Sequence, residues 1–193
     1  PVSLWTNTVF WLTAESPVVN SGTTNAQWIC YARNCAGNST QPLTNSQPVR
    51  ISTNGLLVLK FDGLDDWINT VTAGVRRVEI HGRFIVTNGL QQCGIIKSLN
   101  PGRFYFGISD GLLGATSKSA YISSSYAPGT NFHVFVYDSI AGVLSVDGTN
   151  ILTGLDFSGL DIDGVPFGIG RRNGVAGAGS NYANMEITKV IIR

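Results

Sequence analysis

Charged residues are scarce in this sequence. They make up 13% of the 193 residues, against roughly a quarter in an average soluble domain. Glycine (23 residues), serine, threonine and asparagine take their place. Surface helices usually carry opposite charges three and four residues apart, whereas glycine and small polar residues are typical of turns. The shortage of charge therefore argues against surface helices and favours strands joined by many turns.

A basic patch and a long apolar run are also missing. The formal net charge is +1, and the only adjacent basic pairs are Arg76-Arg77 and Arg171-Arg172, so we expect no nucleic-acid partner. No stretch reaches the roughly 18 apolar residues of a membrane span, and residues 1–5 show no signal-peptide pattern. A start at Pro1 would suit a lost initiator methionine, a removed signal peptide or a fragment of a longer chain.

Cysteine and histidine are too few and too scattered to predict a metal centre. Four residues separate Cys30 from Cys35 in a turn-rich segment, and Cys93 stands alone. Structural zinc sites need four ligands, commonly with paired cysteines, and His81 and His133 are far from the cysteines in sequence. Two alternatives remain open for Cys30 and Cys35: a local disulfide, or free and partly buried thiols.

Helical periodicity is nearly absent, and short β-branched and aromatic runs recur instead. Asx-Gly pairs, which supply the positive φ angles of tight hairpins, separate many of these runs. The pattern predicts one all-β domain over residues 1–193. The predicted strands are 56–61, 75–86, 94–96, 104–108, 119–123, 132–138, 143–146, 168–171 and 185–192.

The first 50 residues show the least regular pattern. They contain Trp5, Trp11 and Trp28 among many asparagines, serines and threonines. We expect this part to be irregular and to pack on the sandwich through its tryptophans. Trp5 is the candidate interface residue, since chain ends are the positions where packing within the domain is least assured.

Paired carboxylates are missing from the predicted strands. Glycoside hydrolysis needs two acids about 5–9.5 Å apart, but Glu15, Glu79 and Glu186 have no acidic residue two to four positions away. No Gly-x-Ser-x-Gly nucleophile motif is present. His133 lies in an apolar strand, where we expect it to be packed. We therefore expect no enzyme activity.

Residues 59–68 (LKFDGLDDWI) carry a resemblance to a known family. A strand that ends in Phe-Asp-Gly, followed by two acids and an aromatic, is similar to the laminin-G-like branch of the concanavalin A-like lectin/glucanase superfamily. Further similarity lies in residues 10–14, 132–138, 144–148, 167–171 and 185–192. The resemblance implies a concanavalin A-like jelly-roll sandwich of two antiparallel sheets.

The same motif has a physical interpretation that does not need the family. Phe61 and Trp67 can fill the core from either side of a tight turn. Asp62 and Asp65 can accept backbone N–H bonds within it, and Gly63 allows its dihedral angles. We therefore predict that Phe61 and Trp67 are buried and that Asp62 is bonded to the turn backbone.

Calcium is a further question, because related lectin folds often hold it. Asp161 and Asp163 could supply oxygen ligands together with turn carbonyls. Acids in turns are common for backbone reasons alone, so we assign no metal site and no cofactor.

The expected function is attachment through binding. Sugar sites combine an aromatic face with short polar groups, and the loop candidates for such a site are Arg103, Tyr105, Arg171, Arg172, Asn173 and Tyr182. The first hypothesis is a bacteriophage virion protein, a capsid decoration or tail-fibre sandwich that docks on an assembly as a homo-oligomer and binds glycans. The alternative is a secreted, extracellular carbohydrate-binding or adhesin module. The virion hypothesis is an analogy at the level of the fold.

Overall fold

A computed structural model describes residues 10–15, 18–21, 25–30, 39–41, 46–69, 76–85, 93–98, 105–118, 120–156, 167–170 and 182–193. In these ranges the regular structure consists of strands, and the pairings between them are antiparallel. We find no helix among these residues with the length and hydropathy of a membrane span.

The strands are, in chain order, β1 (Phe10–Thr13), β2 (Val18–Ser21), β3 (Asn25–Trp28), β4 (Ser39–Gln41), β5 (Val49–Thr53), β6 (Leu56–Asp62), β7 (Ile68–Asn69), β8 (Arg77–Phe84), β9 (Cys93–Ser98), β10 (Tyr105–Ser109), β11 (Leu112–Ser117), β12 (Ala120–Ser123), β13 (His133–Asp138), β14 (Val143–Val146), β15 (Thr149–Leu152), β16 (Phe167–Ile169) and β17 (Asn184–Ile192).

Two sheets contain these strands. The order in the eight-stranded sheet is β15-β14-β13-β8-β17-β6-β5, and β1 also pairs with β17. The order in the nine-stranded sheet is β12-β11-β10-β9-β16-β7-β4-β3-β2. Many strands that are distant in the chain are neighbours in a sheet, as expected of a jelly roll. The predicted all-β, concanavalin A-like sandwich is confirmed.

The core lies between the sheets and is rich in aromatic residues. Phe106 of the nine-stranded sheet stacks on Tyr137 of the eight-stranded sheet, with ring centroids 6.1 Å apart. Phe84 and Phe135, on neighbouring strands β8 and β13, meet edge to face at 5.7 Å. All four side chains are buried. Alternation along each strand turns every second side chain into this layer.

The N-terminal part is more regular than its sequence suggested. It contains four short strands, β1 to β4, where we expected irregular chain. Leu12 and Trp28 are buried in the core, so Trp28 anchors this part within its own domain. Asparagine, serine and threonine obscure the alternation in these strands. Trp5 lies outside the described residues.

Strand β11, Leu112–Ser117, was not predicted, because glycine, alanine and serine interrupt its apolar pattern. Gly114 has a structural role there. A Cβ atom at this position would overlap the Ile122 carbonyl and lie 2.6 Å from the Tyr121 hydroxyl. Tyr121 crosses this glycine and donates to the Gly107 carbonyl at 2.9 Å. The strand thus needs a residue without a side chain where a tyrosine covers it.

Candidate functional site

The eight-stranded sheet has a charged outer face, turned away from the core. In β8, Val78, Ile80 and Phe84 are core residues, so alternation places the residues between them on the other side. We define the outer face by Arg77, Glu79, His81 and Arg83 of β8 and by the side chains paired with them on β13 and β17. It continues onto the β1 side chains that pair with β17.

Ion pairs cross this outer face. Arg83 Nε donates to Glu186 Oε2 at 2.9 Å, and Glu186 is buried. His81 Nε2 lies 2.7 Å from Glu79 Oε1, and Arg77 pairs with Asp138 at 3.1 Å. The Arg83 guanidinium also lies 4.9 Å from the centre of the Phe132 ring. Such contacts fix side chains in place, although exposed pairs add little stability.

Strand β17 changes partner along its length, and the change creates an irregularity. Its first half pairs with β6 through Asn184–Ile187, whereas Lys189–Ile192 pair with β1. The register against β8 shifts between Ile187 and Lys189. Thr188 lies in this shift, where its carbonyl accepts the Ala14 N–H at 2.9 Å and its Oγ1 donates to the His81 carbonyl at 3.1 Å.

An open cleft of about 350 Å³ lies at this irregularity. Its walls come from the end of β1, the β5–β6 hairpin, β8 and β17, and its lining residues are Thr13, Ala14, Glu15, Gly55, Leu56, Leu57, His81, Thr188 and Lys189. The volume is in the range of about 300–1,000 Å³ typical of small-ligand sites. The cleft combines an apolar wall with hydroxyl, imidazole, ammonium and carboxylate groups.

Glu79 contacts the ring of His81, which lines the cleft. The hydrogen bond from His81 holds the pKa of Glu79 below its usual value despite partial burial, and the charges of Lys189 and Arg193 act in the same direction. Glu79 therefore stays ionised at neutral pH and orients the His81 ring, as carboxylates commonly do for histidine.

Trp11 stands beside the cleft on the outer face. Leu12 and Ala14 of the same segment are core residues, so Trp11 and Thr13 project to the other side. Their partners on β17 are Ile191 and Lys189. Trp11 is only partly buried, which places an aromatic surface next to the polar lining of the cleft.

A second cluster, of three carboxylates, lies in the β6–β7 turn. Ligand oxygens of Asp62, Asp65 and Asp66 are within 4.8 Å of one another. Asp62 Oδ1 accepts the Leu64 N–H at 2.7 Å and the Asp65 N–H at 3.3 Å. Phe61 and Trp67 are 0% and 5% exposed. The predicted turn, with its two buried aromatics and bonded aspartate, is confirmed.

The other two aspartates are also engaged in the turn. Asp65 Oδ2 accepts from Ser46 Oγ at 3.0 Å, and Asp66 Oδ2 accepts the Asp62 N–H at 2.8 Å. Burial raises the pKa of Asp66 to about 6, and the charges of Asp62 and Asp65 add to this effect. Carboxylates can hold Ca²⁺, but these already serve the turn. Asp161 and Asp163 lie outside the described residues.

His133 packs among aromatic residues. His133 packs edge to face on Tyr126 and Phe135, which confirms the expected packed histidine. Its Nδ1 lies 2.6 Å from Asp147 Oδ2.

Cys30 is disulfide-bonded. A free thiol at Cys30, one of the two alternatives left open by the sequence, is therefore wrong. The side chains of Cys35 and Cys93 lie outside the described part, so the pairing of Cys30 with Cys35 stays a hypothesis.

Few of the predicted ligand residues can be placed. Arg103, Arg171, Arg172 and Asn173 lie outside the described residues. Tyr182 is half-buried. Tyr105 is 7% exposed, and its hydroxyl donates to the Ile108 carbonyl at 2.9 Å, so it presents almost no surface to a ligand.

Sequence reasoning did not find the residues of the cleft. One signal was available, the charged or polar side chain at every second position of residues 77–83, which marks a solvent-facing strand side. The irregularity of β17 depends on a change of partner between β6 and β1, and no local pattern encodes it.

No protein-family model and no curated protein matches the sequence. Solved structures match it in fold. Domain 4 of an extracellular arabinanase from Geobacillus stearothermophilus, in complex with arabinotriose, has a TM-score of 0.64 at 12% identity, covering 96% of this chain and 91% of that one. The binding domain of Paraclostridial mosquitocidal protein 1 has a TM-score of 0.64 at 14% identity, covering 98% of this chain.

The sialidase of Trypanosoma rangeli, in complex with 2,3-difluorosialic acid, has a TM-score of 0.59 at 13% identity over 96% of this chain. This chain spans 30% of the sialidase and 50% of the mosquitocidal binding domain. At these identities the likeness concerns the fold, a β-sandwich that the chain shares with these three structures.

Proposed function

We propose that the chain is a non-catalytic attachment module that binds a glycan in the cleft at the β17 irregularity. The observation that carries the proposal is the lining of the cleft. Leu56 and Leu57 offer apolar surface, and Thr188, His81 and Lys189 offer hydrogen-bonding groups. Sugars need both kinds of contact, because their C–H faces are apolar and their hydroxyls must remain hydrogen-bonded.

The fold supports this proposal in a general way. The arabinanase domain was solved with a bound arabinose oligosaccharide, and the mosquitocidal domain is a binding domain. The same sandwich can host unrelated functions, so residues of this chain must supply the specific support. The aromatic surface of Trp11 beside the cleft suits the stacking that sugar sites commonly use.

Hydrolysis is the competing function, and the aspartate cluster is the observation that favours it. A raised pKa, as in Asp66, is a property of general acids in glycosidases. However, Asp66 is 5% exposed, and its Oδ2 is bonded to the turn backbone. A reacting sugar could not approach it without disrupting the turn. We therefore expect no release of reducing ends from arabinan or β-glucan, and Asp66→Asn should match the wild type in that assay.

A cleft-filling substitution tests the position of the proposed site. Leu56 lines the cleft and is 47% exposed, so Leu56→Trp should fill the cleft without disturbing the core. An array first identifies glycans that bind the wild type, and calorimetry confirms that binding. We expect Leu56→Trp to bind the same glycans at least about tenfold more weakly, a loss of about 1.4 kcal/mol in binding free energy.

Leu64→Trp is the matched control. Leu64 is 76% exposed in the β6–β7 turn, away from the cleft. The Leu64→Trp variant should therefore bind the glycan with the same Kd as the wild type. Equal affinity of Leu56→Trp and wild type would place glycan binding elsewhere. Absence of binding to any glycan would refute the module itself.

We further propose a virion surface as the setting, with an extracellular secreted module as the alternative. The disulfide of Cys30 supports maturation outside the reducing cytosol in either case. Low charge supports docking in a homo-oligomer, because charged residues are depleted at the core of interfaces. Fractionation of particles and sedimentation of the purified chain test these points. A strict monomer that never copurifies with particles would leave the secreted module.

A further inference from the structure

We infer that the cleft selects a sugar that carries a single carboxylate within an otherwise neutral glycan, with the Lys189 ammonium as the group that recognises the acid. This inference rests on the proposed glycan-binding function and adds the chemical class of the ligand. It depends on how charges are distributed over the outer face and around the cleft.

The acids of the outer face already have side-chain partners. Glu79 lies 2.7 Å from His81, Glu186 lies 2.9 Å from Arg83 and is buried, and Asp138 pairs with Arg77. Asp138 also caps its own turn by accepting from Ile140 and Ala141. These carboxylates are therefore satisfied and require no cationic ligand.

Lys189 supplies a positive charge at the cleft. Among the residues that the structure describes, it takes part in no ion pair, although it lines the cleft. Its cross-strand neighbours on the outer face are His81 and Thr13. The side chain is half-buried, so less water screens its charge than on an open surface.

Thr188 gives the floor of the cleft a second polar group. Its Oγ1 donates to the His81 carbonyl, which leaves the oxygen lone pairs as acceptors for a sugar hydroxyl. An ammonium that donates to a carboxylate beside an oxygen that accepts from a hydroxyl matches an acidic sugar, which carries a carboxylate and hydroxyl groups on the same ring.

Glu15 limits the number of negative charges that the site tolerates. It lines the cleft from the turn after β1 and is exposed. A polyanion lying across the cleft would bring several charges near this carboxylate, and like charges at short range are unfavourable. A glycan with one acid on the floor and neutral sugars at Glu15 avoids this repulsion.

Matched pairs of ligands test the inference. The first pair is glucuronosyl-xylobiose against xylotriose, and the second is 3′-sialyllactose against lactose, each measured by calorimetry in 50 mM salt. A hydrogen bond to a charged group is stronger than one between neutral groups, so the acidic member of at least one pair should bind about tenfold or more tightly. The preference should shrink in 0.5 M salt.

Lys189→Gln should abolish the preference for the acidic member, so that the acidic and neutral members of each pair bind the variant with equal affinity. Lys118→Gln is the matched control, since Lys118 is exposed and pairs with Asp156, and neither residue lines the cleft. Thermal unfolding of both variants checks that the fold is intact.

Three outcomes would overturn the inference while leaving the glycan module standing. They are equal affinity within both pairs, a preference that survives in Lys189→Gln, and tighter binding of a heparin hexasaccharide than of either carboxylate ligand. Failure of every sugar, neutral or acidic, to bind would instead overturn the proposed function together with the inference.

Discussion

Replacing Trp67 by alanine should lower the free energy of unfolding by about 3–5 kcal/mol, the usual cost of truncating a large buried aromatic residue. Trp67 is 5% exposed. Its N–H donates to the Ser46 carbonyl at 3.1 Å, and its carbonyl accepts from Gln41 Nε2 at 2.8 Å. These backbone bonds hold the chain in place after truncation, so the cavity cannot collapse easily.

Leu64→Ala provides the control within the same turn. Leu64 is 76% exposed, and surface substitutions usually change stability by no more than about 0.5 kcal/mol. Urea titrations of both variants and the wild type measure the difference. A loss below about 1 kcal/mol for Trp67→Ala would mean that the indole serves a surface or a ligand instead of the core.

The β6–β7 turn was predictable because its chemistry is local. The Phe-Asp-Gly sequence places a core aromatic, a backbone acceptor and a residue tolerant of positive φ in consecutive positions. In the structure Gly63 has φ of +80°, and Asp62 accepts two turn N–H groups. Each of these interactions spans three residues or fewer.

The cleft was not predictable because its residues come together only through sheet topology. Thr13 and Lys189 are 176 positions apart in sequence and become partners through the β1–β17 pairing. Lys189 meets His81 only after the register shift in β17. Sequence periodicity identifies which side of a strand is buried, but it does not determine which strands are neighbours.

The aspartate cluster of the β6–β7 turn was predictable in part from the local sequence and depends in part on tertiary structure. Asp62 was expected to accept backbone N–H groups of the turn, and it does. Asp65 was expected to do the same, but its carboxylate accepts from the Ser46 hydroxyl, outside the turn. The burial of Asp66, which is 5% exposed, was not expected, because it depends on tertiary packing and not on the local sequence. That burial makes Asp66 the described carboxyl whose pKa is raised most, to about 6.

The raised pKa of Asp66 has a consequence for stability. The folded state binds the proton more tightly than the unfolded state, in which the pKa is near 3.8. Below pH 3.8 both states are protonated and Asp66 carries no penalty. As the pH rises through 6 the folded state must hold a buried charge, at a cost on the order of 2–3 kcal/mol once ionisation is complete.

Asp66→Asn should therefore stabilise the protein at pH 7.5, by an amount up to the free-energy cost of the buried charge at Asp66. The amide oxygen of asparagine can still accept the Asp62 N–H, and its NH₂ group can donate to the neighbouring carboxylates. The gain should decline as the pH falls through 6 and disappear near pH 4, which urea titrations at a series of pH values would measure.

Asp147→Asn makes the same chemical change at a carboxyl whose pKa is lowered in the folded state instead of raised. The hydrogen bond from His133, followed by that from the Val134 N–H, holds the pKa of Asp147 below its usual value. Its stabilisation is present above the unfolded pKa and is lost as the pH falls. Asp147→Asn should thus destabilise the protein at pH 7.5, and the difference from wild type should shrink in acid. If Asp66→Asn also destabilised the protein at pH 7.5, ionised Asp66 would be a favourable partner within the turn, and burial could not be the origin of its raised pKa.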